Sequence, residues 1–278
     1  VLTLADAAYP PLLLEIADPP LLLYVRGRAE LLSRPGVAII GSRNASAQGM
    51  QNAAAFAHAL SAAGLTIISG LALGIDTHAH EGGLRGAGAT VAVIGTGADL
   101  VYPRRNLDLA QRIAEQGCIV SEYALGLPAM PANFPRRNRL ISGLARGVLV
   151  IEAAAQSGSL ITARLAGEQG RDVYALPGSI HATLAKGCHA LIKQGAKLVE
   201  SADDVLQELQ WLGGVPLVPA VVADETPLLA ALGHDPLDAD TLAARSGLAM
   251  GALMGELLAL ELAGLLERLP GGLFQRCK

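Results

Sequence analysis

The chain has few aromatic residues, few cysteines and no long uninterrupted apolar run. Phe, Tyr and Trp together make up 3% of its 278 residues. Its three cysteines are far apart and form no Cys-x-x-Cys pair, so neither a disulfide framework nor a zinc site is expected. The apolar stretches stay below the roughly 18 residues that a membrane helix needs. This pattern favours a reducing cytoplasm and excludes a membrane partner.

The chain also lacks the charge and the glycine patterns of several ligand-binding classes. Its net charge is −4, so it has no bulk basic surface for nucleic acid, and an anion site requires a local cluster. "GSRNAS" has one glycine and "GTG" two where a dinucleotide fingerprint needs three, and no P-loop ending in Gly-Lys-Ser/Thr occurs. We therefore expect no NAD, FAD, ATP or other cofactor.

From residue 36 onward, short apolar segments alternate with helical ones. The apolar segments are "GVAIIG", "LTIIS", "TVAVI", "CIVSE", "GVLVIEA", "DVYALPG" and "KLV". They are continuously apolar, which is typical of strands covered on both faces. Because strands that alternate with helices are joined by right-handed crossovers, the sequence predicts an α/β fold with a Rossmann-like, doubly wound parallel sheet.

The end of the chain has a different pattern. A segment rich in Gly, Pro and Val precedes three predicted helices, a turn at "PGG" and a short hairpin, which together indicate a winged helix. We predict an extended Rossmann-like domain over residues 1–214, with a lead-in over 1–35. A linker over 215–225 and a winged-helix-like domain over 226–278 would follow.

This predicted winged helix is acidic. Residues 219–278 hold four basic and eight acidic residues, and the would-be recognition helix, "GALMGELLALEL", has no Lys or Arg. A phosphate backbone would be repelled by this surface. We therefore expect the tail to bind protein rather than DNA.

In an open parallel sheet, ligands bind beyond the carboxyl ends of the strands, and that edge holds nearly all the unusual residues. Ser42 and Arg43 follow the first strand, where small residues let backbone N–H groups approach a phosphate and an arginine adds a charged fork. Gly70 opens the loop after the second strand. The fifth strand leads to a helix start at Ser157, Gly158 and Ser159. For the segment at Ser42 and Arg43, the alternative is a tight turn with a surface arginine. For the segment at Ser157, the alternative is an N-cap at Ser159, which uses the same donors as an anion site would.

The segment "FPRRNRLISG" combines positive charge with an aromatic ring. We expect a helix to begin near Pro135, a residue suited to the first helical position. Arg136, Arg137 and Arg139 then lie where the helix dipole disfavours positive charge, which an anionic partner would explain, and helical phase directs Arg137 toward the binding edge. Phe134 is placed to stack on a base, as in proteins that hold single strands. The alternative is a solvated basic helix end with Phe134 as a hydrophobic staple.

The segment "GIDTHAH" carries Asp76, His78 and His80, and it suggests a metal site. On a helix the two histidines differ by about 200°, so they do not share a face. An aspartate in the first turn is favoured by the helix dipole in any case. We predict no metal.

Five segments follow one another along the Rossmann-like region: "GSR", "SGLALGIDTHAH", "FPRRNRLISGL", "VIEAAAQSGSLITA" and "VYALPG". This series closely resembles the DNA-processing protein A family (DprA, also called Smf), and the resemblance extends over essentially the whole chain. It implies a protein of competence, natural transformation and homologous recombination that binds and protects incoming single-stranded DNA and loads the recombinase RecA. It also implies a homodimer without catalytic residues, and in some members a helical domain before the first residue seen here.

Carried over residue by residue, the resemblance implies DNA contacts at Arg43, Phe134, Arg137, Asn138 and Arg139. Lys186, in "LAKGCHALI", is a further basic candidate near the same edge. Some family members have a lysine three residues before the phenylalanine. Here that position is Pro131, so we expect neighbouring arginines to supply part of the DNA contact.

A nucleotide-processing enzyme is the alternative function. The Rossmann-like, lysine-decarboxylase-like phosphoribohydrolases begin a comparable helix with Pro-Gly-Gly-x-Gly-Thr-x-x-Glu. Here the comparable segment is "QSGSLITARLAGE", and Thr162 is followed by Ala163, Arg164 and Leu165. The expected carboxylate is missing, so the sequence favours a binding protein.

Overall fold

The structure is a computed structural model and describes residues 1–211, 227–233 and 235–277. The chain divides into two compact units, Val1–Ala45 with Asn52–Leu217 and Ser46–Gln51 with Val218–Lys278. The predicted linker, residues 215–225, lies outside the described residues. The domain limits drawn from the sequence therefore stay predictions.

Short strands and connecting helices make up the first part of the chain, as the alternating pattern predicts. The strands are β1 Leu2–Thr3, β2 Leu22–Gly27, β3 Gly36–Ile40, β4 Thr66–Ser69, β5 Thr90–Val93, β6 Cys118–Ser121, β7 Gly147–Val150, β8 Asp172–Ala175 and β9 Lys197–Leu198. The α-helices are α1 Pro11–Leu14, α2 Ala47–Ala62, α3 Ile75–Gly83, α4 Leu107–Gln116, α5 Asn133–Gly143, α6 Ser159–Glu168, α7 Lys186–Lys193 and α8 Ala202–Glu208. Short 3-10 turns cover Ala29–Ser33, Arg104–Asn106 and Thr183–Ala185.

These described strands form one sheet in the order β1-β2-β6-β5-β4-β3-β7-β8-β9. The strands from β3 to β9 pair in parallel, which confirms the predicted doubly wound sheet. The parallel part of the sheet starts at β3 and extends to one side through β4 and β5 to β6. The next strand, β7, pairs with the other side of β3. The strand order therefore reverses between β3 and β7, and the crevice beyond their carboxyl ends is where such sheets bind ligands.

Alternate residues of β3 pack into the two layers that cover the sheet. Val37 and Ile39 contact the cluster that includes residues of α2 and α3, and Ala38 and Ile40 contact the cluster that includes residues of α5 and α6. All four side chains are buried. Burial on both faces is the reason why the strands are continuously apolar in sequence.

The predicted lead-in turns out to be part of the sheet. β2 pairs antiparallel with β6, placing Tyr24 opposite Ser121, and β1 pairs antiparallel with β2. Leu13 and Leu23 are fully buried in the core under α5. These two edge strands extend the parallel sheet, and the alternating pattern gave no sign of them because no helix of ordinary length separates them.

The second unit has the predicted winged-helix form. Its elements are α9 Pro227–Leu232, β10 Leu237–Asp238, α10 Ala239–Ser246, α11 Met250–Leu262, β11 Leu266–Leu269 and β12 Leu273–Arg276. The strands pair antiparallel in the order β10-β12-β11. Gly247, with φ 71°, ends α10 and starts the turn into α11. Leu242, Leu253 and Phe274 belong to the small core of this unit.

The described helices are mostly short for a membrane span. No single helix among the described residues is long and apolar enough to cross a membrane. The bent pair α10 and α11, with an angle of 105° between them, passes by length and composition alone.

A buried histidine lies between α3 and the sheet. His80 is fully buried, and its Nδ1 is 2.7 Å from the hydroxyl of Thr90, which itself donates to the carbonyl of Ile67. Nδ1 therefore carries the proton, and Nε2 is buried without a hydrogen-bond partner. Burial first, and then the nearby positive charge of Arg137, lower the pKa of His80 from 6.5 to about 3. The imidazole is neutral in the folded protein.

Replacing His80 by Asn should make the protein less sensitive to acid. Between pH 6.5 and about 3 the unfolded chain protonates this histidine and the folded chain does not, so each pH unit of acidification costs roughly 1.4 kcal/mol of stability. Burial raises the pKa of Asp76, so above its ordinary pKa this carboxyl stabilises the folded protein as the pH falls. Asp76 is present in both the wild type and the variant, so it does not contribute to the difference between them. Urea unfolding between pH 4.5 and 7 checks the difference. Parallel stability curves for the two proteins would contradict the assignment.

Candidate functional site

A groove of about 680 Å³ lies at the carboxyl edge of the sheet, at the reversal between β3 and β7. The loops on its two sides are bonded to each other, because the N–H of Ser42 donates to the carbonyl of Glu152 over 2.8 Å. The groove is lined by most of the residues that the sequence placed in a binding site: Ser42, Arg43, Phe134, Arg137, Asn138, Ser157, Gly158 and Ser159. The sheet edge therefore brings together loops that are far apart in the sequence.

Gly41 is required by the close packing of the β3 loop. A Cβ added there would lie 2.6 Å from Cγ1 of Ile75 and 2.8 Å from the carbonyl oxygen of Glu152. The glycine lets the backbone after β3 pack directly against Ile75 and Glu152. The next two residues, Ser42 and the exposed Arg43, border the groove.

An aromatic pair forms one wall of the groove. The rings of Phe134 and Tyr102 are 5.5 Å apart between centroids and tilted by 38°, and the guanidinium carbon of Arg43 lies 5.8 Å from the centroid of Phe134. Phe134 is half-buried and Tyr102 is exposed. A ring with a cation on it, open to a groove, offers stacking surface and positive charge at one place.

Tyr102 lines the groove but was not among the site residues predicted from the sequence. It lies in the loop after β5, on the same sheet edge, and the rarity of aromatic residues was the signal that could have found it. Asn106 fixes this loop, since its buried side-chain amide donates to the carbonyl of Leu71 over 2.9 Å. The ring therefore has a defined position beside Phe134.

Arg137 is a buried residue, not an exposed one. Its side chain borders the groove, but only 4% of the residue is exposed, and Nη1 donates to the carbonyl of Gly70 over 2.7 Å and to the carbonyl of Val93. Gly70 directly follows β4, and Val93 is the last residue of β5. Burial lowers the pKa of Arg137 to about 10, with the Asp76 carboxylate opposing the shift. Arg137 therefore joins α5 to the sheet edge.

Asp76 and Gly70 belong to the same buried cluster. The Asp76 carboxylate accepts the N–H groups of Gly70 and Ala72 over 3.1 and 3.3 Å, and burial raises its pKa against the opposing effect of Arg137. A Cβ at Gly70 would lie 2.8 Å from both Nη atoms of Arg137 and from Oδ2 of Asp76. Gly70 is thus needed where two buried charges approach each other. Within the described residues, no group of three or more His, Cys, Asp or Glu has a metal-binding arrangement.

Two family models match successive parts of this chain. The family model of DNA recombination-mediator protein A matches residues 1–210, and the model of the DprA winged helix domain matches residues 216–272. This chain belongs to the DNA recombination-mediator protein A family. Protein Smf of Escherichia coli (strain K12) is 44% identical over 276 residues, which cover 95% of this chain and 74% of that protein.

Two solved structures of the family have similar folds. The X-ray structure of DNA processing protein A from Streptococcus pneumoniae has a TM-score of 0.72 and 49% identity, covering 74% of this chain and 73% of that one. DNA processing protein A from Helicobacter pylori has a TM-score of 0.67 and 32% identity, covering 72% of this chain and 92% of that one. The Helicobacter structure was described for its single-stranded DNA binding mode.

Three of the DNA-binding residues predicted from the sequence are not among the residues lining the groove: Gly70, Arg139 and Lys186. Arg139 donates from Nη1 and Nη2 to the two carboxylate oxygens of Glu122 over 2.8 and 2.7 Å and has a further ion pair with Asp18 at 3.2 Å. Lys186 is exposed at the start of α7 and donates to the carbonyl of Ile180. Their predicted DNA contacts would have to form outside the groove.

The start of α5 corrects the argument from the helix dipole. The helix begins at Asn133 rather than near Pro135, so Pro135 is its third residue, where a backbone N–H is not needed within the helix. Arg137 bonds to strand carbonyls, and Arg139 to a carboxylate. Both arginines therefore have internal partners, and the adverse dipole does not by itself require an anionic ligand.

The helix start after β7 differs slightly from the predicted one. α6 begins at Ser159, with Gly158 at the N-cap position and no side-chain cap, so the N-cap expected at Ser159 is wrong. The hydroxyls of Ser157 and Ser159 are 2.7 Å apart and border the groove. The first N–H groups of this helix are bonded locally, since those of Ser159, Leu160 and Ile161 donate to the hydroxyl of Ser157, the carbonyl of Ser157 and the carbonyl of Gly158.

Replacing Arg137 by Ala should destabilise the fold. The carbonyls of Gly70 and Val93 would lose their donor and the Asp76 carboxylate its neighbouring charge, which together should cost roughly 3 kcal/mol or more. Urea unfolding checks the value. The matched control is Arg136→Ala on the same helix, where the side chain is 64% exposed and the expected change is within about 0.5 kcal/mol. Equal unfolding midpoints for the two variants would contradict this role.

Proposed function

We propose that the groove binds single-stranded DNA through Arg43, Phe134 and the helix start at Ser157–Ser159. The observation that carries the proposal is the Arg43–Phe134–Tyr102 arrangement, in which a cation and two rings line a groove at the reversal of the sheet. Membership of the family supports it, as does the single-stranded DNA bound by the Helicobacter pylori relative.

Each part of the groove has a distinct role in this proposal. Phosphates contact the guanidinium of Arg43 and the hydroxyls of Ser157 and Ser159, while bases stack on Phe134 and Tyr102. Stacking and phosphate contacts do not distinguish one base from another, so binding is tolerant of sequence. Arg137 acts through the fold, by fixing the helix that carries Phe134.

The wider role that we propose follows the family. The protein protects single-stranded DNA that enters the cytoplasm during natural transformation and loads the recombinase RecA on it. A homodimer would present two grooves to one strand and so raise the apparent affinity. This role needs binding and no catalysis, and the missing carboxylate after Thr162 argues against a phosphoribohydrolase.

For the second unit we propose binding to protein. Its helix α11 holds Glu256 and Glu261 and no Lys or Arg, so it has no charge that would attract a phosphate backbone. The winged-helix shape would then serve as a scaffold for a protein contact.

Replacing Arg43 by Ala should weaken binding to oligo-dT by about tenfold, because one phosphate contact and one cation–π pair are lost. The plot of log affinity against log salt should become shallower by about 0.7. Fluorescence anisotropy at several salt concentrations measures both. Arg34→Ala is the matched control, since Arg34 is exposed but precedes β3 at the opposite edge of the sheet. Equal effects of the two substitutions would refute the groove as the binding site.

Ending the chain at Trp211 should leave the affinity for oligo-dT within about threefold, since the removed unit is acidic and offers phosphates little attraction. The same anisotropy titration checks this at the lowest salt used. Far-UV circular dichroism and the unfolding midpoint establish that the shortened protein is folded. A large loss of affinity in the folded, shortened protein would overturn the role proposed for the second unit.

A further inference from the structure

Helix α11 has an apolar face that its own unit leaves uncovered. Leu253 and Leu257 are fully buried in the small core. On the other side of the helix, Met254, Leu258 and Leu262 are 40%, 56% and 82% exposed. A helix that is apolar all round is normally buried all round, so this one lacks a covering partner within the described part of its unit.

The exposed side chains form one continuous face. At about 100° per residue, Met254, Leu258 and Leu262 span a stripe, and the residues beside them are the exposed Gly251, Gly255 and Ala259. No charged residue of α11 lies within this arc. Glu261 borders it beside Met254, whereas Glu256 lies on the opposite side of the helix, about 160° from Leu258. The small residues leave room for a second helix to approach closely, and Glu261 is the charge that this helix would meet at the border.

The charge of the unit selects among possible occupants. Its described residues carry six carboxylates and three arginines, the arginines being Arg245, Arg268 and Arg276. Nucleic acid and anionic lipid would both be repelled. A second copy of α11 would bring two sets of Glu256 and Glu261 together. A helix with an apolar stripe between lysines or arginines would match the apolar face, its Glu261 border and the net negative charge of the unit.

We propose that the exposed face of α11 is a docking site for a basic amphipathic helix of a partner protein. The proposal rests on the protein-binding role proposed for the second unit, and it names the surface and the chemistry of the partner. Met254, Leu258 and Leu262 supply the apolar contact, and Glu261 at its border binds a basic side chain of the partner. Apolar anchors at positions i, i+4 and i+8 are the usual spacing of helix-in-groove recognition.

The test uses the full chain and a fluorescein-labelled peptide of about 18 residues. In this peptide Leu occupies one face of the helix, at i, i+3, i+4 and i+7, and Lys occupies the other positions. The wild type should bind this peptide and not a matched peptide with Glu in place of Lys. Leu258→Lys and Leu262→Lys should each weaken binding by about tenfold or more. Leu21→Lys is the matched control, since Leu21 is 76% exposed in the first unit and should have no effect. The variant Glu261→Gln should bind more weakly, with a smaller dependence on salt.

The other outcomes separate this inference from the proposals on which it rests. Failure of the wild type to bind the Leu/Lys peptide, or equal binding of the Leu/Glu peptide, overturns the proposed partner chemistry. Unchanged peptide binding in Leu258→Lys overturns the face but leaves a protein-binding role. A lower sedimentation mass of Leu258→Lys would assign the face to a second copy, and lost binding to phosphatidylglycerol vesicles would assign it to a membrane. Lost affinity for oligo-dT in this variant would assign it to DNA and remove the role proposed for the second unit.

Discussion

The buried guanidinium of Arg137 is the interaction on which the site depends. It lies at the carboxyl ends of β4 and β5, where it donates to the carbonyls of Gly70 and Val93. Burying a charge is costly unless it is bonded and balanced. Here two carbonyls and the nearby Asp76 carboxylate supply that balance. The start of α5, and with it Phe134, is thereby fixed to the sheet.

The arginines near the groove differ in whether the protein itself bonds them. Arg137 and Arg139 are bonded within the protein, one to carbonyls and one to Glu122, so neither is freely available to a ligand. Arg43 is exposed, and its guanidinium lies near the ring of Phe134, at the mouth of the groove. The net charge of −4 does not describe this part of the surface, where the exposed Arg43 supplies local positive charge.

Much of the fold could be predicted from the sequence, since continuously apolar strands that alternate with helices have few other solutions. β1 and β2 were missed because they precede that alternation. The sequence also placed Ser42, Arg43 and Phe134 at the sheet edge where the structure has a groove. It directed Arg137 to this edge but not to its carbonyl partners, because helical phase indicates a direction and not what lies in that direction. The partners of Arg137 and Arg139 come from segments far away in the chain, and no local pattern contains them.

A crystal structure of the protein with oligo-dT tests the central claim most directly. The account predicts a base stacked on Phe134, a phosphate at the guanidinium of Arg43 and another at the start of α6, with Arg137 still bonded to Gly70 and Val93. DNA bound on another surface, with the groove between β3 and β7 empty, would contradict it.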